Sequence, residues 1–303
     1  MNAIQTAGLT KRYGNKNVVE GLDLHVPEGA IYGFIGRNGA GKSTTQKLIC
    51  GLTPITSGSI ELYGADHDDP KIRSQVGMLI ENAGVYASLT ARENMRLYGL
   101  AIGMDHMDEE IDKTLKLMGI ADTGKKTVKQ FSLGMKQRLG IAIALLGDPK
   151  LLILDEPING LDPQGIIEFR EVMLKLNREK GMTILISSHI LGELAKIATH
   201  YGIINEGAMV KEMSAAELET ICQNYLLLKV DRARSAGDLL MQAFHGERCE
   251  VLSDGEVHLF GVSDTRAVNT LLYQKGYEVE EIYMHQQDLE EYFMKLMGGE
   301  KNA

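Results

Sequence analysis

Residues 31–49, IYGFIGRNGAGKSTTQKLI, decide the fold of this chain. The run IYGFI predicts a buried strand, and KSTTQKLICGL predicts the helix that follows it. Between them, Gly36, Gly41, Lys42 and Ser43 match the pattern G-x-x-x-x-G-K-[ST]. A glycine-rich loop between a strand and a helix is an arrangement in which backbone N–H groups bind phosphate. The stretch therefore predicts an α/β fold with a phosphate-binding loop.

The residue types in this loop indicate a nucleotide with Mg²⁺. Glycines let the backbone approach a β-phosphate closely, and the first turn of the helix adds a partial positive charge. We expect Lys42 to bridge the β- and γ-phosphates of the nucleotide and Ser43 to offer an oxygen to Mg²⁺. The alternative is a glycine-rich turn that merely precedes a helix. The residues expected to contact the nucleotide are Gly36, Arg37, Asn38, Gly39, Ala40, Gly41, Lys42, Ser43 and Thr44.

Two further strands end in polar residues. The run LLILDEP ends in Asp155 and Glu156, and the run MTILISS is followed by His189. Ligands of open α/β sheets bind at the carboxyl ends of the strands. We expect Asp155 to hold Mg²⁺, Glu156 to polarise the attacking water, and His189 to hydrogen-bond a γ-phosphate oxygen. The alternatives are an acidic cap before the next helix and a structural histidine.

The chain of 303 residues predicts about two domains. In residues 1–215, alternating apolar strands and helices predict a parallel sheet covered on both faces, joined by an antiparallel β subdomain and a helical subdomain at about 85–150. In residues 216–303 the order β-α-β-β-α-β plus a last helix predicts a small ferredoxin-like accessory domain.

Composition argues against several classes of function. The net charge of −9 argues against binding nucleic acid or an anionic membrane surface, since both recruit basic patches. Three isolated cysteines argue against a disulfide framework and fit a reducing cytosol. The longest apolar runs, such as LGIAIALL at 139–146, are too short to span a bilayer, and no secretory signal is visible. If the protein works at a membrane, another chain provides the span.

Five motifs occur in a fixed order: the phosphate loop, FSLGMKQR at 131–138, LLILDEP, NGLDP at 159–163 and SSH at 187–189. This order resembles the ATP-binding subunit of ABC transporters over about residues 3–215. The resemblance implies two subunits that face head to tail, with the FSLGM segment of one closing over the γ-phosphate held by the other. It implies that Ser132 and Gly134 bind phosphate in trans, that Asp162 lies across the interface, and that Tyr13 stacks on adenine. For Tyr13, an exposed structural tyrosine is the alternative.

The chain departs from the family pattern at two places. Leu133 and Met135 replace the Gly and Gln of the family's LSGGQ signature, which makes the segment bulkier but leaves its backbone donors. Glu81 stands where the family has a glutamine. The resemblance implies that Glu81 ligates Mg²⁺ and holds water, with altered coupling to the permease. The alternative is a solvated acid in a loop.

The segments IENAGVY, LTARENM and LDEPINGLDPQGI are similar to the ATPases of bacitracin and lantibiotic export or self-immunity. That branch implies an ATPase homodimer that couples ATP-driven closure to export of a peptide antibiotic. The partner implied is a separate ABC-2-type permease, contacted by about residues 81–100, so that the ATPase lies peripherally on the cytoplasmic face of the membrane. Two alternatives stay open: a soluble ABC-type ATPase acting on nucleic acid or ribosomes, and a module that binds ATP without hydrolysing it.

Overall fold

The computed structural model describes residues 1–81, 84–245, 248–252, 255–285 and 289–298. They form two compact units, Met1–Ala215 and Ala216–Ala303. Part of the IENAGVY segment and the ends of some elements predicted in the second unit, at residues 246, 253–254, 288 and 299, lie outside the described residues. The elements described in the first unit are, in chain order, β1 (Asn2–Tyr13), β2 (Lys16–Pro27), β3 (Ile31–Ile35), α1 (Lys42–Ile49), β4 (Ser57–Leu62), β5 (Ala65–Asp66), α2 (Pro70–Arg73), β6 (Val76–Leu79), α3 (Ala91–Ala101), α4 (Met107–Leu117), α5 (Leu133–Ala144), β7 (Leu151–Asp155), α6 (Pro163–Lys180), β8 (Thr183–Ser188), α7 (Leu191–Leu194), β9 (His200–Asn205) and β10 (Ala208–Ser214).

Two sheets organise the first unit. The central sheet has the order β10-β9-β3-β8-β7-β6, with parallel pairs from β9 through to β6 and β10 antiparallel at the edge. The second sheet is antiparallel, with the order β2-β1-β4-β5. Strands β3, β7 and β8 are buried along their whole length, as their apolar runs predict. The predicted α/β architecture with a parallel core and an antiparallel subdomain is confirmed.

Helices α3, α4 and α5 occupy the stretch predicted to be a helical subdomain, together with short 3₁₀ helices at Ala121–Thr123 and Val128–Gln130. Helix α3 begins with a capping box, in which Thr90 accepts from the Glu93 amide and the Glu93 carboxylate accepts from the Thr90 amide. Helix α6 begins at Pro163 and is followed by Gly181 in the left-handed conformation. Proline at the start and glycine after the end are the residues that helix termini prefer.

Sequence patterns did not predict β6 or β9. In β6, a Cβ on Gly77 would lie 2.0 Å from the carbonyl oxygen of Ala144, so a glycine is required where α5 ends against the strand. Gly77 weakens the apolar signal of a strand that is only four residues long. Strand β9 has six residues, and a Cβ on Gly202 would lie 2.3 Å from the Tyr32 hydroxyl. In both strands, close packing requires a glycine at a position where an apolar side chain would otherwise indicate a strand.

Helix α8 (Ala215–Ile221) follows β10, and the second unit continues with β11 (Tyr225–Val230), α9 (Ala233–Phe244), β12 (Arg248–Val251), β13 (Glu256–Phe260), α10 (Thr265–Gln274), β14 (Val279–His285) and α11 (Leu289–Leu296). Its sheet has the order β12-β13-β11-β14, with every pair antiparallel. This is the ferredoxin-like order that the sequence predicts. The unit has its own apolar core, which includes Leu226, Leu228, Leu240, Leu259 and Leu272.

None of the helices in the described part of the chain has the length and apolar character needed to span a membrane. Burial raises the pKa of the Cys50 thiol to about 12, and the nearby Arg73 lowers it only in part. Because a thiol with that pKa stays protonated near neutral pH, Cys50 is not a nucleophile.

Candidate functional site

The loop between β3 and α1 lies tightly against neighbouring backbone. A Cβ on Gly36 would lie 2.5 Å from the Ile204 carbonyl oxygen, and a Cβ on Gly41 would lie 2.8 Å from that of Val18. Gly41 also has φ +110°, in the region that favours glycine. Arg37, Asn38 and Gly39 are exposed in the loop, whereas Ala40 is buried. The loop therefore has room for a ligand only on its open side.

Lys42 is the first residue of α1, and its side chain is buried with 5% exposed. Its Nζ donates to the carbonyl oxygen of Gly36 at 2.7 Å and lies 3.2 Å from Oε1 of Glu156. A buried ammonium held by a carbonyl and a carboxylate needs such partners to offset its desolvation. This geometry places a cation inside the loop, where it fits the negative charge of a phosphate chain.

Glu156 lies between Lys42 and His189. While its Oε1 pairs with Lys42, its Oε2 lies 2.8 Å from Nδ1 of His189. The residue has φ +49°, which is a strained conformation for a glutamate. Its amide donates to the carbonyl oxygen and the hydroxyl of Ser187, at 3.2 and 3.0 Å, and these bonds stabilise the strained turn. The structure thus brings Lys42, Glu156 and His189 together in one continuous polar chain.

Asp155 is buried at the end of β7, with 7% exposed, and accepts a hydrogen bond from the Ser187 hydroxyl at 2.6 Å. Ser43 and Thr44 are half-buried in the first turn of α1. A carboxylate and a hydroxyl are the hard oxygen ligands that Mg²⁺ prefers. The donor set at Ser43 and Asp155 therefore fits Mg²⁺.

Two polar residues that the sequence patterns did not single out support this site. Ser187 is hydrogen-bonded to the Asp155 carboxylate and to the Glu156 amide. Its position within the SSH motif could have indicated this role. Gln46 is fully buried in α1 and donates from Nε2 to the Leu154 carbonyl oxygen at 3.1 Å, which ties α1 to β7. A glutamine among the apolar positions of a helix was the signal for Gln46.

Glu81 follows β6 and contacts the other end of α1, away from Ser43. Its Oε1 pairs with Nζ of Lys47 at 2.5 Å, and 59% of its side chain is exposed. Lys47 belongs to the last turn of α1, whereas Ser43 belongs to the first. The ion pair holds Glu81 at the surface of α1 and partly neutralises it. A role for Glu81 as a metal ligand remains a proposal.

Tyr13 ends β1 with 51% of the residue exposed, and Nζ of Lys11 lies 4.9 Å from the centroid of its ring. An exposed aromatic face beside a cation can stack on a planar base. The structure is equally consistent with an exposed structural tyrosine. Its role in binding adenine therefore remains a proposal.

The FSLGM segment and the NGLDP segment meet in one pocket. Ser132 caps α5 by accepting from the Met135 amide at 3.2 Å, and Asp162 caps α6 by accepting from the Gly165 amide at 2.9 Å. The pocket is lined by Gly119, Ile120, Ser132, Leu133, Gly134, Met135, Arg138, Gly160, Leu161 and Asp162. Among the described residues, this lining includes none of the phosphate loop at 36–44. Leu133 is 60% exposed, so the segment presents an apolar side chain to its surroundings.

Comparisons with known proteins agree on one family. The family model described as ABC transporter matches residues 19–159. The chain is 43% identical to the bacitracin transport ATP-binding protein BcrA of Bacillus licheniformis, over 98% of this chain and 97% of that protein. It is 43% identical to the lantibiotic transport ATP-binding protein SrtF of Streptococcus pyogenes, over 76% of this chain and 100% of that protein.

Solved structures give the same result for the fold of the first unit. A structure of an ATP-binding subunit of an ABC transporter has a TM-score of 0.64 and 31% identity, and the match covers 72% of this chain and 92% of that one. The dimeric cassette MJ0796 bound to ADP and Pi has a TM-score of 0.65 and 23% identity, with 70% of this chain and 98% of that one covered.

Proposed function

We propose that this chain, which belongs to the ATP-binding subunits of ABC transporters, hydrolyses MgATP as a homodimer and thereby drives a separate membrane permease. The observation that supports this proposal most directly is the polar chain Lys42–Glu156–His189 beside the phosphate loop. It combines a buried cation for the phosphates with a carboxylate for the water. Such a combination serves phosphoryl transfer, in which catalysis is mainly positioning and electrostatic stabilisation.

Lys42, Glu156 and His189 each have a distinct role in hydrolysis. Lys42 releases its contact with Glu156 and binds the β- and γ-phosphates. Glu156 accepts a proton from the attacking water, and its strained backbone aims the carboxylate toward the ligand. His189 orients that carboxylate and hydrogen-bonds a γ-phosphate oxygen. Mg²⁺ held by Ser43 and Asp155, with Glu81 as a further candidate ligand, supplies charge neutralisation when bound.

Hydrolysis requires two subunits in this proposal. Ser132 and Gly134 lie at the N-terminus of α5, where free backbone N–H groups and the helix dipole attract phosphate. Their pocket has none of the subunit's own phosphate loop in its lining, within the described residues. A second subunit placed head to tail brings the segment to the γ-phosphate, with Asp162 at the interface. ATP then favours closure because it binds the closed dimer better than the open one.

We infer the membrane partner and the class of transported compound from the relatives. Proteins named for bacitracin and lantibiotic transport match over most of the chain, so we assign export of a peptide antibiotic or related compound, and with it antibiotic resistance. The partner is an ABC-2-type permease, and the subunit is peripheral on the cytoplasmic face of the membrane. The permease-facing surface includes α3 and the turn before it, which expose Tyr86, Leu97 and Leu100. The acidic net charge argues against the alternative, an ATPase that acts on nucleic acid or ribosomes.

The test is the substitution Glu156→Gln, which keeps the size of the side chain but removes the proton acceptor. We expect phosphate release to fall by about 100-fold or more while ATP binding persists. Because hydrolysis no longer resets the closed state, the variant should also shift to dimer mass with MgATP on gel filtration.

The control is Glu206→Gln, since Glu206 is also a glutamate with positive φ but lies exposed in the turn between β9 and β10. This variant should hydrolyse ATP like the wild type. If the wild type and Glu156→Gln release phosphate equally slowly while both bind ATP, the protein is a binding module and the proposal is wrong.

A further inference from the structure

A cluster of potential metal ligands lies at the end of β5 and in the loop that follows it, outside the nucleotide site. Asp66, His67 and Asp68 each offer one ligand atom, and these atoms lie within 4.8 Å of one another. Nδ1 of His67 is 3.2 Å from Oδ1 of Asp66, and Nε2 is 3.7 Å from Oδ1 of Asp68. The ATPase mechanism uses none of these residues.

The imidazole of His67 gives an independent reason to expect a ligand at this cluster. Its side chain is nine-tenths buried, with 10% exposed. Its Nδ1 is fully buried and has no hydrogen-bond partner among the residues that the structure describes, since Asp66 is near but not aligned. A buried polar nitrogen without a partner costs free energy, and such atoms are rare in folded proteins. A ligand that accepts the lone pair of Nδ1 would remove that cost.

We propose that Asp66, His67 and Asp68 bind a divalent transition-metal ion of the Zn²⁺ class. Bonds of about 2.0–2.2 Å from zinc to nitrogen and oxygen place tetrahedral ligands about 3.3 Å apart. The measured separation of 3.2 Å between His67 and Asp66 matches this spacing. The carboxylates of Asp66 and Asp68 are 78% and 69% exposed, so Asp68 can rotate to complete the set. A mixed nitrogen and oxygen donor set favours zinc over Mg²⁺ or Ca²⁺, which prefer oxygen alone.

Local charges and hydrogen bonds support a cation here. Nη1 of Arg73 lies 3.6 Å from Oδ1 of Asp68, so this guanidinium offsets one of the two aspartate charges and leaves the other. Oδ1 of Asp66 accepts from the Asp68 amide at 2.9 Å, which holds the two carboxylates on one turn. Arg73 also donates to the Cys50 carbonyl oxygen at 3.4 Å, just after α1. Metal binding would therefore stabilise the loop whose arginine supports the end of the phosphate-loop helix.

The experiment measures zinc bound to the full-length chain, prepared without a histidine tag and without nucleotide. The protein is stripped with a chelator, dialysed against micromolar ZnCl₂ and assayed by atomic emission. The double variant Asp66→Asn/Asp68→Asn should retain about one equivalent less than the wild type, because these carboxylates are direct ligands. Both side chains are exposed, so the variant should keep its fold, which circular dichroism checks. His67→Gln should lose the same equivalent.

Two controls separate this site from other zinc binding. Asp105→Asn/His106→Gln changes an exposed acid and histidine in the α3–α4 loop and should retain as much zinc as the wild type. Ser43→Ala removes a ligand of the nucleotide site and should also leave zinc unchanged. Equal zinc in the wild type and the Asp66/Asp68 double variant would overturn the proposal and leave an ion pair between His67 and its neighbours. Since the assay contains no ATP, its outcome is independent of the proposed ATPase function.

Discussion

Gly36 and Gly39 are both glycines of the phosphate loop, but a side chain is excluded from them for different reasons. A Cβ on Gly36 would lie 2.5 Å from a backbone oxygen of β9, which cannot rotate away. A Cβ on Gly39 would meet nothing within 4 Å, so only its φ of +82° opposes a substitution. We expect Gly39→Ala to cost about 1 kcal/mol of stability and Gly36→Ala clearly more, up to about 3 kcal/mol. Urea unfolding measures both, and equal costs would show that the loop is not packed against β9.

Candidate residues of the phosphate loop were easier to find in the sequence than the side chains that contact each other in the fold. The pattern at 36–44 identified Lys42 and Ser43 because spacing along the chain defines that motif. The partner of Glu81 was not predictable, since Lys47 is distant in sequence and only folding brings the two together. The same holds for Ser187 and Asp155, which meet because β7 and β8 are neighbours in the sheet. Contacts that depend on strand order are therefore invisible to local patterns.

At the scale of the element, Ser132 has two separable roles. It caps α5 through the Met135 amide, and in the proposed dimer it binds the partner's γ-phosphate. Aspartate caps helices about as well as serine, so Ser132→Asp should change stability by only about 0.5 kcal/mol. Its negative charge should nevertheless repel the phosphate and abolish the MgATP-dependent dimer on gel filtration.

Ser132→Thr is the matched control, because threonine keeps both the hydroxyl and the capping ability and should retain the dimer. A Ser132→Asp variant that still forms the MgATP dimer would contradict a phosphate contact in trans. Measuring thermal unfolding of all three proteins separates this result from simple loss of the helix cap.

Whole elements were predictable where burial leaves a continuous signature. Strands β3, β7 and β8 are uniformly apolar, and the alternation of strands and helices after residue 224 gave the ferredoxin-like order. Strands β6 and β9 were not predicted, because glycines stand where neighbouring groups approach closely and weaken the apolar pattern. The position of β3 between β8 and β9 is a property of the folded sheet, since those strands are far from β3 in the sequence.

For the whole molecule, separate apolar cores predict separate responses to nucleotide. The phosphate loop, the acidic residues at 155–156 and the FSLGM segment all belong to Met1–Ala215, whereas Ala216–Ala303 has its own core around Leu226 and Leu259. A ligand stabilises the part that binds it by mass action. Differential scanning calorimetry of the full chain should therefore show two transitions, and ATP with Mg²⁺ should raise the midpoint of only one.

A shortened chain ending at residue 221 assigns these transitions, since it retains α8 and lacks the second core. It should keep the transition that responds to nucleotide and lose the other. The contrary result is a single transition for the full chain, with a midpoint that ATP raises. That behaviour would mean that the two units unfold cooperatively, so that the ferredoxin-like unit contributes to the stability of the ATP-bound state and is more than an accessory to it.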